Sequence, residues 1–279
     1  MEVLVAEKCG FCRGVTDAIT LAHETLKEKG EVYSLGPIIH NADVVNELAS
    51  EGLETVKSID EIKTGTVLIR SHGATLKEIE YIKSKELDIA DATCVLVKRV
   101  QKICQQLNED GYKVIMLGDK DHPEVRAIVG FGSNVEIIGD ISDLDGLDIH
   151  GKLGVLCQTT QSPGFFGKMV DEIIQRGFSE LKIINTLCRE AIKRQESAVK
   201  LCRKVDIMFV LGGLHSANTI KLAELCKKHN NQTFHLQNWQ ELDIKTLSGK
   251  KLAGVTAGAS TPDRVINEFV EKLRAIESD

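Results

Sequence analysis

Residues 113–125, Lys113-Val114-Ile115-Met116-Leu117-Gly118-Asp119-Lys120-Asp121-His122-Pro123-Glu124-Val125, hold the unit from which the chain is built. An apolar run predicts a strand, and a polar turn follows it. Pro123 then stands where a helix begins, because the first helical turn has no use for its missing N–H. The same punctuation recurs in both directions. Strand candidates upstream are Glu2–Ala6, Glu31–Leu35, Thr66–Arg70 and Leu87–Ala90. Downstream they are Val135–Ile138, Leu153–Leu156, Leu181–Ile184, Asp206–Leu211, Gln232–Leu236 and Lys251–Thr256. Most are continuous apolar runs, as expected of strands buried on both faces of a parallel sheet. Amphipathic helices separate them. The first places Val15, Ala18, Ile19, Ala22 and Leu26 on one face, and the last Val265, Ile266, Phe269, Val270 and Leu273. Helix starts are marked by the capping box Thr75-Leu76-Lys77-Glu78 and by Ser162-Pro163 and Thr261-Pro262. This alternation predicts an α/β protein with mainly parallel sheets. Eleven strands are too many for one sheet with full-length helices, so two or three small α/β units are expected.

Composition narrows the class of function. Hydrophobic residues make up 42% and charged residues 27%, as in a folded protein. Aromatics are few (8 Phe, 3 Tyr, 1 Trp), so the core rests on aliphatic side chains. Lys+Arg 35 against Asp+Glu 41 gives a net charge of −6, which argues against nucleic-acid binding. The opening apolar stretch Val3-Leu4-Val5-Ala6 is too short for a signal peptide or a membrane span. A cytoplasmic location is therefore expected. In a reducing compartment the eight cysteines are free, metal-bound or catalytic.

Ligands of open α/β sheets bind beyond the carboxyl ends of the strands, and those positions are dense with chemistry here. Cys12, Cys94 and Cys188 each stand between a strand and a helix start, about one α/β unit apart. Helix N-termini stabilise thiolates. Three such thiolates suit an iron–sulfur cluster or a zinc, and spacing alone fits either, as it fits three unrelated buried thiols. Cys104, Cys202 and Cys226 fall at core spacing, and Cys157 ends a strand. Cys9 forms Cys9-x-x-Cys12, readable as a redox pair or as a half-buried bystander.

Neither a P-loop nor a G-x-G-x-x-G turn is present. The small polar turns Gly212-Gly213 to Asn218 and Ala257 to Thr261, with the histidine turns, nonetheless suit a diphosphate. Ser216, Ser260 and Thr261 also read as ordinary helix caps, Glu124 as a charge in a first helical turn, and each histidine as structural.

Nine segments carry a resemblance. They are Cys9–Val15, Leu35–Asn41, Arg70–Gly73, Asp91–Cys94, His122–Val125, Gln158–Gln161, Asn185–Cys188, Arg194–Ser197 and Thr256–Asp263. In this order they resemble the motifs of the 4-hydroxy-3-methylbut-2-enyl diphosphate reductase family, which completes the methylerythritol phosphate route to isoprenoids. The resemblance implies three α/β lobes, at 1–93, 94–187 and 188–279, in a pseudo-threefold arrangement around a central iron–sulfur cluster. It implies Cys12, Cys94 and Cys188 as ligands of a 4Fe–4S cluster with one open iron. His40, His72, Ser216, Asn218 and Ser260 match the residues that clamp the substrate diphosphate. Glu124 matches the residue that delivers protons, with His122 and Thr159 ordering the allylic hydroxyl. The implied reaction removes that hydroxyl with two electrons and two protons, giving isopentenyl and dimethylallyl diphosphates. The implied partners are the allylic diphosphate and an electron donor of the ferredoxin or flavodoxin type, with no nucleic acid and no membrane.

Some positions depart from the pattern. Val95 stands where Pro is expected, Glu190-Ala191 where Ala-Thr is expected, and Leu214-His215 where polar residues are expected. Cys9 is also unusual. Glu190 adds an acid near the third ligand cysteine. A relative reducing another substrate, or a protein with a purely structural metal site, would also fit these departures. Arg189, Lys193, Arg194, Lys200, Arg203 and Lys204, after Cys188, form a basic run suited to an acidic electron carrier.

Overall fold

The computed structural model describes residues 1–147 and 150–276. The chain runs β1 (Glu2–Val5), α1 (Arg13–Lys29), β2 (Val32–Leu35), α2 (Ala42–Ser50), β3 (Leu53–Val56), β4 (Thr66–Ile69), α3 (Leu76–Ser84) and β5 (Asp88–Asp91). It continues α4 (Val95–Glu109), β6 (Lys113–Leu117), α5 (Pro123–Val129), β7 (Val135–Ile138), β8 (Lys152–Cys157), α6 (Pro163–Ile174) and β9 (Glu180–Ile183). It ends α7 (Arg189–Cys202), β10 (Ile207–Leu211), α8 (Ala217–His229), β11 (Thr233–Leu236), β12 (Leu252–Ala257) and α9 (Asp263–Arg274).

The strands form three four-stranded sheets, in the orders β3-β2-β4-β5, β7-β6-β8-β9 and β11-β10-β12-β1. Every neighbouring pair is parallel. The order is one pattern used three times: second, first, third, fourth. In the last sheet the fourth position is filled by β1, with Val3 beside Ala253 and Val5 beside Val255. Among the described residues β1 pairs with β12 alone, so by sheet β1 groups with the strands of the last third of the chain.

Most central strands are buried along nearly their whole length, β4 and β10 completely, as the continuous apolar runs predict, while β2 is buried at alternate residues. Edge strands are not. β3 was absent from the predicted strands because only Leu53 and Val56, its two ends, are buried, so it shows neither an apolar run nor a period of two. β5 sits one residue later than expected, at Asp88–Asp91, and Pro262 caps α9 from outside rather than opening it. The Thr75 and Ser162 caps form as expected.

Two compact units emerge. One comprises Met1–Thr16, Ile39–Glu47 and Arg189–Asp279, the other Asp17–Ile38 and Leu48–Cys188. In the first, α9 packs Ile266, Phe269 and Leu273 on one face of the β10 sheet, with the rings of Phe209 and Phe269 5.2 Å apart. α7 and α8 cover the opposite face with Ala198, Leu201, Leu222 and Cys226. Full burial of side chains such as Phe209 and Phe269 stabilises by about 1.5–3 kcal/mol each.

In the second unit, Val97, Val100, Cys104 and Leu107 of α4 pack on Val114, Met116 and Leu156 of the β6 sheet. The remaining side of α4 reaches the β2 sheet's loops. Buried Gln101 donates through Nε2 to the carbonyls of Ala74 (3.1 Å) and Ala127 (3.3 Å), joining the loop after β4 to α5. Gln101→Leu keeps the volume but leaves two buried carbonyls without this donor. It is expected to lower stability by about 1–3 kcal/mol, read as a lower denaturant midpoint at unchanged slope.

Candidate functional site

In the second unit the strand order reverses between β6 and β8 and between β2 and β4, and the loops leaving these strands meet. After β4 the chain turns tightly through Arg70-Ser71-His72-Gly73, closed by Gly73 N–H to Arg70 O at 2.9 Å. Gly73 has φ +84°, and a Cβ there would press within 3.0 Å of Gln101 Nε2, so the turn requires glycine. Ser71 Oγ donates to Ile38 O, and Ser71 O accepts from the backbone N–H of Cys94. His72 meets His122 edge to face, ring centroids 5.5 Å apart.

His122 caps α5, its Nδ1 accepting from the Glu124 N–H at 3.1 Å. That bond requires a bare Nδ1, so in the neutral ring Nε2 carries the proton. Glu124 is only 4% exposed. Its Oε1 accepts from the Thr159 backbone N–H (2.7 Å) and its Oε2 from the Thr159 hydroxyl (2.9 Å). Thr159 O in turn accepts from the Cys188 N–H at 2.7 Å. Cys94, His72, His122, Glu124, Thr159 and Cys188 are thus linked neighbour to neighbour. Glu124 is more than a charge at a helix start, because both of its oxygens are fixed by a residue 35 positions away. Beside it, Gln158 Nε2 and Thr160 Oγ1 are buried with no partner in the structure. Polar atoms orphaned in this way are rare unless a ligand or water completes them.

The first unit gathers the other predicted residues. Cys12 caps α1: its carbonyl accepts from Val15 and Thr16, and its N–H donates to Ala259 O (3.2 Å). Ser260 Oγ donates to His40 O at 3.2 Å. Ser216 stands at the N-cap of α8, 3% exposed, yet its side chain makes no capping bond, so capping does not account for it. Asn218 Nδ2, Thr219 Oγ1 and Thr256 Oγ1 are buried without partners. Gly258 has no room for a side chain, since a Cβ there would lie 2.1 Å from Thr219 Oγ1. His40, Ser216 and Ser260 lie on the loops that follow β2, β10 and β12, and Asn218 in the first turn of α8.

Two residues whose role sequence reading missed hold the Cys12 loop. Arg194 is 5% exposed and donates to Gly10 O at 2.7 Å, and Ser197 Oγ accepts from Lys8 N–H at 3.2 Å. The expected basic run after Cys188 thereby loses Arg194, which is buried. Lys193 stands 3.8 Å from Glu190, and Lys8 3.6 Å from the same residue. Glu190, the acid singled out near the third cysteine, is thus flanked by two ammonium groups. Leu214, His215 and Val95 are exposed, while Ala191 is buried.

The cysteines divide by environment. Cys104, Cys157, Cys202 and Cys226 are buried, whereas Cys12, Cys94 and Cys188 are half-exposed, each immediately before a helix. Cys9 packs against the Phe209 core. Burial pushes its thiol up to about 11, although Arg194 opposes the shift. It therefore stays protonated at neutral pH, and the Cys9–Cys12 redox pair lacks a reactive thiolate at Cys9.

A family model described as LytB protein matches residues 3–274. The chain is similar to 4-hydroxy-3-methylbut-2-enyl diphosphate reductase of Geobacter metallireducens, 42% identical over 279 residues that cover 100% of this chain and 99% of that one. The reductase of Geobacter sulfurreducens is 40% identical with the same coverage. Among solved structures, it is similar to (E)-4-hydroxy-3-methyl-but-2-enyl diphosphate reductase, the terminal enzyme of the non-mevalonate pathway, with TM-score 0.73, 39% identity and 99% of each chain covered. The E-1-hydroxy-2-methyl-but-2-enyl-4-diphosphate reductase from Plasmodium falciparum gives TM-score 0.91 at 27% identity, over 98% of this chain and 87% of that one. With the model matched almost end to end and relatives at this identity aligned over their full length, the chain belongs to the LytB protein family.

Proposed function

We propose that this protein reduces 4-hydroxy-3-methylbut-2-enyl diphosphate to isopentenyl and dimethylallyl diphosphates. The observation that carries the reading is the Glu124–Thr159 pair, a buried carboxylate locked onto a hydroxyl among unpartnered polar atoms. In the reaction the allylic C–O bond breaks, two electrons enter, one proton leaves with the oxygen as water and one joins the allyl carbon.

Cys12, Cys94 and Cys188 fit an iron–sulfur cluster: they are the half-exposed thiols before helices, and nitrogen and oxygen ligands are not needed to complete a three-thiolate set. When bound, such a cluster would supply electrons one at a time and a Lewis-acidic iron. The chain's own residues do the rest. Thr159 donates its hydroxyl hydrogen to Glu124, leaving its oxygen lone pairs to accept from the substrate hydroxyl. Run in reverse, a proton on Glu124 reaches the departing oxygen through Thr159. His122 presents its Nε2–H as a further donor. We assign the diphosphate to His40, His72, Ser216, Asn218 and Ser260, the residues that match the family's diphosphate clamp. Their hydroxyl, amide and imidazole donors, with the free N–H groups of the α8 start, match phosphoryl oxygens.

Among the described residues no helix is long and apolar enough to cross a membrane. We place the enzyme in the cytoplasm, served by a ferredoxin- or flavodoxin-type donor. The test is anaerobic turnover of the diphosphate with a strong one-electron reductant, together with iron and sulfide analysis. Water and both C5 diphosphates are expected. A brown protein inert toward this substrate would favour a relative acting on another one, and a colourless zinc protein a structural metal site.

A further inference from the structure

We propose that the outward face of α4, beginning beside Cys94, is the docking surface for a small acidic one-electron carrier protein. The proposal rests on the reading that Cys94 holds a redox cluster. Val95, Lys98, Arg99, Lys102, Ile103 and Gln106 line one open groove on this helix. They recur at i, i+3, i+4, i+7, i+8 and i+11, and so form a continuous stripe that starts one residue after Cys94. Val95 is 76% exposed, the most exposed large apolar side chain among the described residues. Arg99 and Lys102 are exposed and form no ion pair among the described residues. Lys98 is paired with Asp91 at 2.7 Å. The other acids near the stripe, Glu109 and Asp110, lie at its far end, bonded to Gln105 and Gln106. Three cations between the apolar side chains Val95 and Ile103, on a chain of net charge −6, are complementary to an acidic partner and unsuited to self-association through like charges.

Continuity distinguishes this face from the basic run expected after Cys188. Lys98 and Lys102 lie about 6 and 12 Å along the helix from Cys94 at 1.5 Å per residue. On α7, Arg189 is exposed beside Cys188 and forms no ion pair among the described residues, but Arg194 is buried and Lys193 lies against Glu190, so the next unengaged cation is Lys200, about 18 Å from Cys188. A carrier seated on α4 meets neighbouring cations in one continuous groove that starts beside the cysteine, whereas those of α7 are interrupted, which favours α4. Each encounter oxidises one carrier and delivers one electron, so two encounters supply one turnover.

The test uses the cluster-loaded enzyme, a small acidic 2Fe–2S ferredoxin as probe, and the variants Arg99→Glu/Lys102→Glu on α4 and Lys200→Glu/Lys204→Glu on α7. Calorimetric affinity at low and high salt, and carbodiimide cross-links mapped by mass spectrometry, report binding without turnover. The α4 variant is expected to lose at least about tenfold in affinity and in ferredoxin-driven rate, with its salt dependence flattened. Turnover driven by photoreduced deazaflavin should be unchanged, the α7 variant should bind like wild type, and cross-links should fall on Lys98 and Lys102. Wild-type affinity and salt response in the α4 variant, or cross-links confined to α7, would overturn the docking surface. If wild-type enzyme fails with deazaflavin while ferredoxin still cross-links to α4, the functional reading fails and the surface stands.

Discussion

Cys12→Ser, Cys94→Ser and Cys188→Ser are each expected to yield folded protein that has lost nearly all of its iron and sulfide when purified without oxygen. The reason is chemical. A serine hydroxyl remains protonated where a thiolate forms, and it is a hard, weak ligand for cluster iron. The effect should be local, because all three side chains are half-exposed and precede helices, with only Cys94 of the three packed against a core among the described residues. Cys104→Ser and Cys226→Ser are the opposing controls. Both thiols are fully buried, so their replacement should cost stability and leave the cluster in place. Iron and sulfide per chain, with the visible absorption band, decide the matter. Equal iron in wild type and in all three ligand variants would remove these residues from the metal site. Loss of iron in the buried-cysteine controls, in protein that still folds, would do the same for the division by environment.

Glu124→Gln is expected to leave fold and cluster intact and to cut kcat by at least the roughly 10²-fold associated with a lost general acid. The amide can still accept from the Thr159 N–H through its oxygen, and it can donate to the Thr159 hydroxyl where the carboxylate accepted. Structure and substrate affinity should therefore survive, while the group able to hold and release a proton is gone. Single-turnover rates with pre-reduced enzyme isolate this step from electron delivery. Full activity in Glu124→Gln would leave the carboxylate a purely structural partner of Thr159. Thr159→Val provides the complementary measurement: it removes the hydroxyl between the acid and the proposed substrate oxygen and should slow the same step.

Much of this was legible in the residues because strand ends, glycine turns and caps leave local marks. His122-Pro123-Glu124 announces a capped helix, and the cap is observed. What pattern reading could not reach is pairing across long separations. Nothing local tells that Thr159 will close on Glu124, or that β1 will leave its sequence neighbours for β12. The same blindness put Arg194 on a solvent face, since a buried guanidinium is licensed only by the carbonyl it finds, here Gly10 O in a loop 184 positions away. β3 escaped for the opposite reason: an edge strand with two buried ends carries too little hydrophobic signal. The departures at Val95 and Glu190 were visible as departures, but their consequences depended on exposure and on neighbouring charges, which the chain order does not contain.

The placement of β1 beside β12 also sets an order of assembly. Val3 must wait for Ala253, so at about 5–20 residues per second the first strand spends roughly 10–50 s on the ribosome without its partner. The sheets containing β2 to β9 are completed from contiguous segments and can form during that interval. Closing so long a loop is entropically costly and intrinsically slow, which makes β1 docking a late event. Cys12 follows β1 directly, and its N–H is held by Ala259, so it reaches its native place only after the chain has passed residue 259. Loading of the proposed metal site would therefore meet a nearly finished polypeptide, with Cys94 and Cys188 synthesised and their sheets complete well before Cys12 is placed.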